Sequence, residues 1–210
     1  MNPISAPDDV GALWLLTLQR GMARASHDVK DALNGVSVNL EVIRSRSARP
    51  DAAASAIAPF AEGAGQQLEW LTTLIEAILA LTRPERVPAD VGLTLRRVVT
   101  VCGASSSSAD ADVTIVDAGG GDAALTRVRE DVVRLALMAP LLELVTGADR
   151  SRRASDVSCM LGGDDEVVQV VLAAADRRAS MPDGIADAAR AAGVRWTDGE
   201  QELSLAFPRV

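Results

Sequence analysis

Residues 22–43 read Met22-Ala23-Arg24-Ala25-Ser26-His27-Asp28-Val29-Lys30-Asp31-Ala32-Leu33-Asn34-Gly35-Val36-Ser37-Val38-Asn39-Leu40-Glu41-Val42-Ile43. Val29, Leu33, Val36, Leu40 and Ile43 recur at spacings of four, three, four and three, the heptad seam of a packed helix. Leu15, Leu18, Met22 and Ala25 extend the seam upstream, and only Gly11, Gly21 and Gly35 weaken the helix between Val10 and Ser47. The pattern predicts one helix of roughly 35–40 residues, against an average of about 11–12. Such a helix needs a partner along its whole apolar stripe.

The chain around it supplies that partner. Met1 to Asp9 reads as a loose arm with Asp8 or Asp9 capping the first helix. In Arg46-Ser47-Ala48-Arg49-Pro50-Asp51, Pro50 stops this helix and Asp51 caps the next. The second helix is expected from Ala52 to Thr82, kinked at Pro59. Phe60, Ala64, Gln67, Leu71, Leu74 or Ile75, Ile78 and Leu81 share its inner face. Two long helices joined by a short turn form an antiparallel hairpin. One hairpin cannot cover a stripe this wide, so two are expected to pair as a homodimeric four-helix bundle.

Arg83-Pro84-Glu85-Arg86-Val87-Pro88 reads as a linker, after which the pattern becomes mixed. Helices are expected over Val91–Ala104, Glu130–Val145 and Ile185–Ala192, the last closed by Gly193. Strands are expected at 112–116, 124–128, 156–161, 166–173, 194–196 and 202–207. The Ser105–Ser108 run reads as loop. Gly119-Gly120-Gly121 reads as a turn, since it precedes a strand and opens no helix, and so makes no phosphate cradle. This mixture predicts an α/β sandwich, one sheet with helices on one face.

Composition narrows the function. The 210 residues are 48% hydrophobic but only 2% aromatic, with no tyrosine, so the core is built from Ala, Val and Leu. A net charge of −8 argues against a nucleic-acid partner, whose phosphates need a basic surface. Cys102 and Cys159 fit neither a CxxC metal pattern nor a disulfide framework, and read as buried thiols in a reduced cytoplasm. No basic start precedes an apolar run, and the run around Leu74–Leu81 is too short to span a bilayer, so a cytoplasmic protein free of the membrane is expected.

His27 and Lys30 are the only histidine and the only lysine of the chain. His27 lies outside the seam, with Arg24 at i−3, Lys30 at i+3 and Asp31 at i+4. An exposed imidazole there can attack phosphorus in line, with Asp28 orienting the ring and Lys30 and Arg24 balancing phosphoryl charge. Asp31 is awkward, because its carboxylate repels a phosphoryl group. On spacing alone, the same residues also describe a surface histidine in a charged helix.

His27-Asp28-Val29-Lys30-Asp31-Ala32-Leu33-Asn34, with Val38-Asn39-Leu40-Glu41-Val42-Ile43 after it, resembles the phosphoacceptor box of two-component sensor histidine kinases. In that family an acidic residue follows the histidine, a basic residue stands at the third position and a leucine at the sixth. Asp28, Lys30 and Leu33 match. At the fourth position the family carries threonine, asparagine or glutamine, which orients water for dephosphorylation, and often proline at the fifth. Asp31 and Ala32 depart from this, so the resemblance does not extend to phosphatase activity by that route.

Val87-Pro88-Ala89-Asp90-Val91, Arg134-Leu135, and Gly193-Val194 through Leu205-Ala206-Phe207-Pro208 follow the layout of the kinase ATP-binding domain. Val145 stands where the family places its magnesium-binding asparagine, and Asp176-Arg177-Arg178-Ala179-Ser180 where it has an Asp-x-Gly-x-Gly loop. A chain that keeps the histidine and lacks these elements resembles the dimeric histidine phosphotransferases. The resemblance implies a phosphotransfer hairpin over residues 1–84 and a degenerate ATPase-like α/β domain over 85–210. It implies a relay through His27 between response-regulator aspartates, without ATP-dependent kinase activity. ATP is not expected, no metal or cofactor is held by this chain, and magnesium arrives with the partner receiver domain. Two rivals are a catalytically inactive docking module for response regulators or a sensor kinase, and a residual kinase stabilised by Mg-ATP.

Overall fold

The computed structural model describes residues 6–50, 53–83, 87–103, 113–117, 124–146, 157–175 and 177–210. Expectations for the Ser105–Ser108 loop, the Gly119–Gly121 turn, the Asp51 cap, residues 84–86 of the linker and Asp176 lie outside them.

Helix α1 runs Ala6–Ser47, 42 residues without a break. Asp8 and Asp9 lie inside it, because Pro7 is tolerated in a first turn and lets the helix begin earlier. A 3-10 turn over Ala54–Ala56 precedes α2, Ala58–Thr82. Pro59 therefore opens α2 and does not kink it. Its missing N–H falls where no intrahelical acceptor exists. The two helices pack as a hairpin. Asn39 Nδ2 donates to Gln67 Oε1 at 3.3 Å between them, and a Cβ on Gly35 would collide with that Gln67 amide. At the tip Arg46 stacks 4.6 Å over the Phe60 ring and donates to the Ala56 carbonyl.

The second half holds β1 (Ala89–Asp90), α3 (Val91–Cys102), β2 (Val113–Asp117), β3 (Leu125–Thr126), α4 (Glu130–Thr146), β4 (Val157–Gly163), β5 (Val167–Ala174), α5 (Asp183–Ala191), β6 (Arg195–Asp198) and β7 (Glu202–Pro208). Five strands form a sheet in the order β2-β4-β5-β7-β6, with β2–β4 parallel and the other pairs antiparallel. β1 and β3 make a separate two-stranded pair. Alternation sets the buried face: Val157, Cys159 and Leu161 on β4, Val168, Val170 and Leu172 on β5, and Leu203, Leu205 and Phe207 on β7 point inward. Asp90 caps α3, its Oδ1 accepting the Leu93 N–H at 2.9 Å. Gly193 ends α5 with φ of +82°.

Helix α4 is buried around almost its whole circumference, from Glu130 to Val145. A helix apolar on all sides must have neighbours on all sides. Here α1 packs against it, α3 and α5 flank it, and its side chains join those of the sheet in one cluster. The same cluster takes in Ala25 of α1 and Leu74, Ala77 and Leu81 of α2. The base of the hairpin and the α/β part thus share a core. Close approach of α1 is local at Gly21, where a Cβ would collide with the Met138 methyl.

A polar clamp sits at this junction. Arg134 and Glu130 are both buried on α4 and paired at 2.6 Å. Arg134 Nη1 also donates to the Arg83 carbonyl at the end of α2, at 3.1 Å. Asp131 accepts the Val132 N–H and pairs with Arg129 at 2.7 Å. The acidic start of α4 is therefore held by specific partners as well as by the helix dipole.

Both cysteines are buried free thiols. Burial pushes the Cys159 thiol up to about 12, and burial likewise raises Cys102, partly offset by the nearby Arg24 charge. Among the described residues no helix is long and apolar enough to cross a membrane.

Candidate functional site

The heptad seam of α1 is split in the single chain. Val36 is buried between the helices, Val29 and Ile43 are half-buried, and Leu33 and Leu40 are 49% and 54% exposed. Leu15 lies on the same side as Leu33 and Leu40, offset by whole multiples of about 3.6 residues, and is also exposed. On α2, Leu68, Ile75 and Leu79 form a matching exposed apolar line. The hairpin thus buries one stripe and leaves a second uncovered.

His27 stands away from both stripes. One hundred degrees of rotation per residue sets it about 120° around α1 from Leu33, with its side chain 79% exposed. Its Nδ1 lies 3.0 Å from Asp31 Oδ2, one turn on, and that carboxylate is itself 49% exposed. Asp28 behaves differently from the expectation. It is buried, 6% exposed, so the contact to the ring comes from Asp31. Position i+1 turns Asp28 toward the packed side of α1, whereas i+4 returns Asp31 to the face of His27. Lys30 is exposed one turn along. Arg24 is half-buried, and its charge reaches Cys102 on α3, so it faces the junction. The structure therefore joins His27 with Asp31, leaves Lys30 in solvent nearby, and sends Asp28 and Arg24 inward.

Tautomer logic follows from that contact. With its proton on Nδ1, beside the Asp31 carboxylate, the imidazole keeps its lone pair on Nε2. The carboxylate then stands behind the ring, and an electrophile meets Nε2 from the opposite edge.

In the second half, Val145 is buried in α4. Arg177 Nη1 donates to the Leu144 carbonyl at 2.6 Å, and Ala179 and Met181 are buried beyond it. This segment folds back onto the C-terminal end of α4. Among the described residues, no group of three or more His, Cys, Asp or Glu side chains is placed to hold a metal.

Sequence reasoning missed a second polar feature. Thr73, Glu76, Arg83, Arg96, Arg97 and Thr100, with Ala77, Leu79 and Ala80, line a groove of about 440 Å³ between α2 and α3. Its arginines come from segments on either side of the linker, and no local motif connects them.

No protein-family model matches the chain, and no curated protein sequence matches it. Solved structures do. A bacterial phosphotransferase aligns at 16% identity and TM-score 0.40, covering 98% of each chain. The histidine kinase ThkA, in complex with the response regulator protein TrrA, aligns at 10% identity and TM-score 0.44, over 93% of this chain and 63% of that one. A blue-light activated histidine kinase of Erythrobacter litoralis aligns at 15% identity and TM-score 0.40, over 91% of this chain and 59% of that one. This chain thus spans less than two thirds of each of those two kinases.

Proposed function

We propose that this chain is a histidine phosphotransfer protein, in which His27 takes a phosphoryl group from a receiver aspartate and gives it to another. The observation that carries the reading is the His27–Asp31 contact on an exposed helical face, in a segment that resembles a phosphoacceptor box. Nε2 attacks phosphorus, the P–O bond to the aspartyl phosphate breaks, and the carboxylate leaves with the bonding pair. The ring becomes a phosphorylated imidazolium whose Nδ1–H remains on Asp31. Attack by a second receiver carboxylate reverses the step, and the electron pair returns to Nε2. Asp31, awkward as a neighbour of phosphate, becomes the orienting group that Asp28 is too buried to be.

Magnesium enters with the receiver, and no ATP step belongs to this reading. The fold of 177–181 onto α4 and the burial of Val145 support that part. The hairpin, residues 1–84, carries phosphotransfer and dimerisation, and residues 85–210 form the degenerate ATPase-like part. Leu33 and Leu40 on α1 with Leu68, Ile75 and Leu79 on α2 supply the uncovered face that a second copy would bury as a four-helix bundle. The test is transfer kinetics. Asp31→Ala is expected to slow phosphoryl uptake by up to about 100-fold through lost ring orientation. Asp28→Asn is expected to act chiefly on stability. An Asp31→Ala protein as fast as wild type would remove the mechanism.

A further inference from the structure

Arginine placement marks the α2–α3 groove. The chain carries a net charge of −8, yet three arginines, Arg83, Arg96 and Arg97, line one cleft. Among the described residues, the side chains of Arg83 and Arg96 have no ion-pair partner. Arg97 approaches Glu130 only at 4.0 Å, and that carboxylate is already held by Arg134 at 2.6 Å. Three guanidinium charges against the single Glu76 carboxylate of the lining leave an excess of positive charge, and an anion between them lowers their mutual repulsion.

The other lining groups sharpen the chemistry. The Thr73 and Thr100 hydroxyls donate to the Glu69 and Arg96 carbonyls, so the donors left for a ligand are guanidinium N–H groups. Planar guanidinium forks match phosphate oxygens two at a time. Ala77, Leu79 and Ala80 provide an apolar wall, and Glu76 offers one acceptor for a hydroxyl or ring N–H. The volume of about 440 Å³ lies within the range of about 300–1,000 Å³ typical of small-molecule sites.

We propose that this groove binds a small phosphate-bearing molecule, through Arg83, Arg96 and Arg97. The site spans the junction. Arg83 ends the hairpin helix and its carbonyl is clamped by Arg134, while Arg96 and Arg97 belong to the first helix beyond the linker. Occupancy therefore ties the hairpin to the α/β part and raises the stability of the whole chain. The proposal does not depend on phosphotransfer by His27.

Pyrophosphate is the probe, titrated into the full chain at constant ionic strength, with amide shifts and melting temperature as readouts. Saturable shifts confined to the facing parts of α2 and α3, with a rise in melting temperature, are expected. Arg83 and Arg96 are exposed, so the Arg83→Gln/Arg96→Gln protein is expected to fold, with a far-UV spectrum like wild type. Its affinity for pyrophosphate is expected to fall at least about tenfold, whereas Arg190→Gln on α5 and His27→Gln leave it unchanged. Shifts that never saturate, or a saturable site indifferent to the double substitution, would overturn the proposal. So would a groove that ignores pyrophosphate and is covered only when a receiver domain binds.

Discussion

Arg134 is the most informative single substitution for the fold. Arg134 and Glu130 are buried, 2.6 Å apart, and Arg134 also holds the Arg83 carbonyl at 3.1 Å. Truncating Arg134 to methionine keeps the apolar stem but leaves the Glu130 carboxylate buried with Arg97 at 4.0 Å. Breaking a buried pair from one side costs about 3–5 kcal/mol, and replacing both partners costs far less. For a chain of this size, each kcal/mol is worth about 2–4 °C, so Arg134→Met is expected to lower Tm by about 6–20 °C. Glu130→Leu/Arg134→Met is expected to recover most of that loss. Urea unfolding followed by fluorescence measures both, with Trp14 and Trp70 on the hairpin and Trp196 on the sheet as reporters. All three pack against the one core, so the signals should move together. A single-substitution cost below about 1 kcal/mol, the range of an exposed pair, would refute the reasoning.

Other expectations test other parts of the account. Gly163 has φ of +133° and a Cβ there would collide with the Val167 carbonyl, so Gly163→Ala is expected to cost at least about 1–3 kcal/mol in chemical denaturation. The raised Cys159 thiol stabilises the fold below its unfolded value of about 9, and that contribution is lost as pH climbs from there toward about 12. Cys159→Ala should therefore flatten the alkaline limb of stability against pH, and an unchanged limb would exclude the thiol as its source. Leu40→Glu with Leu68→Glu should yield a monomer by sedimentation if the uncovered stripe is the dimer face, while far-UV helicity is retained.

Much of this fold is legible in the sequence because period decides it. The heptads of α1, the apolar run of α4 and the alternating strands of β4, β5 and β7 each fix an element within a few residues. Pro59 was ambiguous in kind, since the same residue kinks a helix from inside or opens one. The short turn over Ala54–Ala56, which carries no strong signal, decides for the second. Side-chain direction is harder to read than spacing. Asp28 follows His27 in sequence yet turns into the interior, and Asp31 returns to it because helical neighbours are four apart. The clamp of Arg134 on the Arg83 carbonyl and the three-arginine groove pair residues from both sides of the linker, which no local pattern reveals.

The central claim concerns one nitrogen atom. Receiver domains phosphorylated on aspartate with labelled phosphate, incubated with this chain, should transfer label that is acid-labile and base-stable. That label should map to His27 and vanish in His27→Gln. Label that persists in His27→Gln, or receiver domains that bind wild type and transfer nothing, would contradict the account.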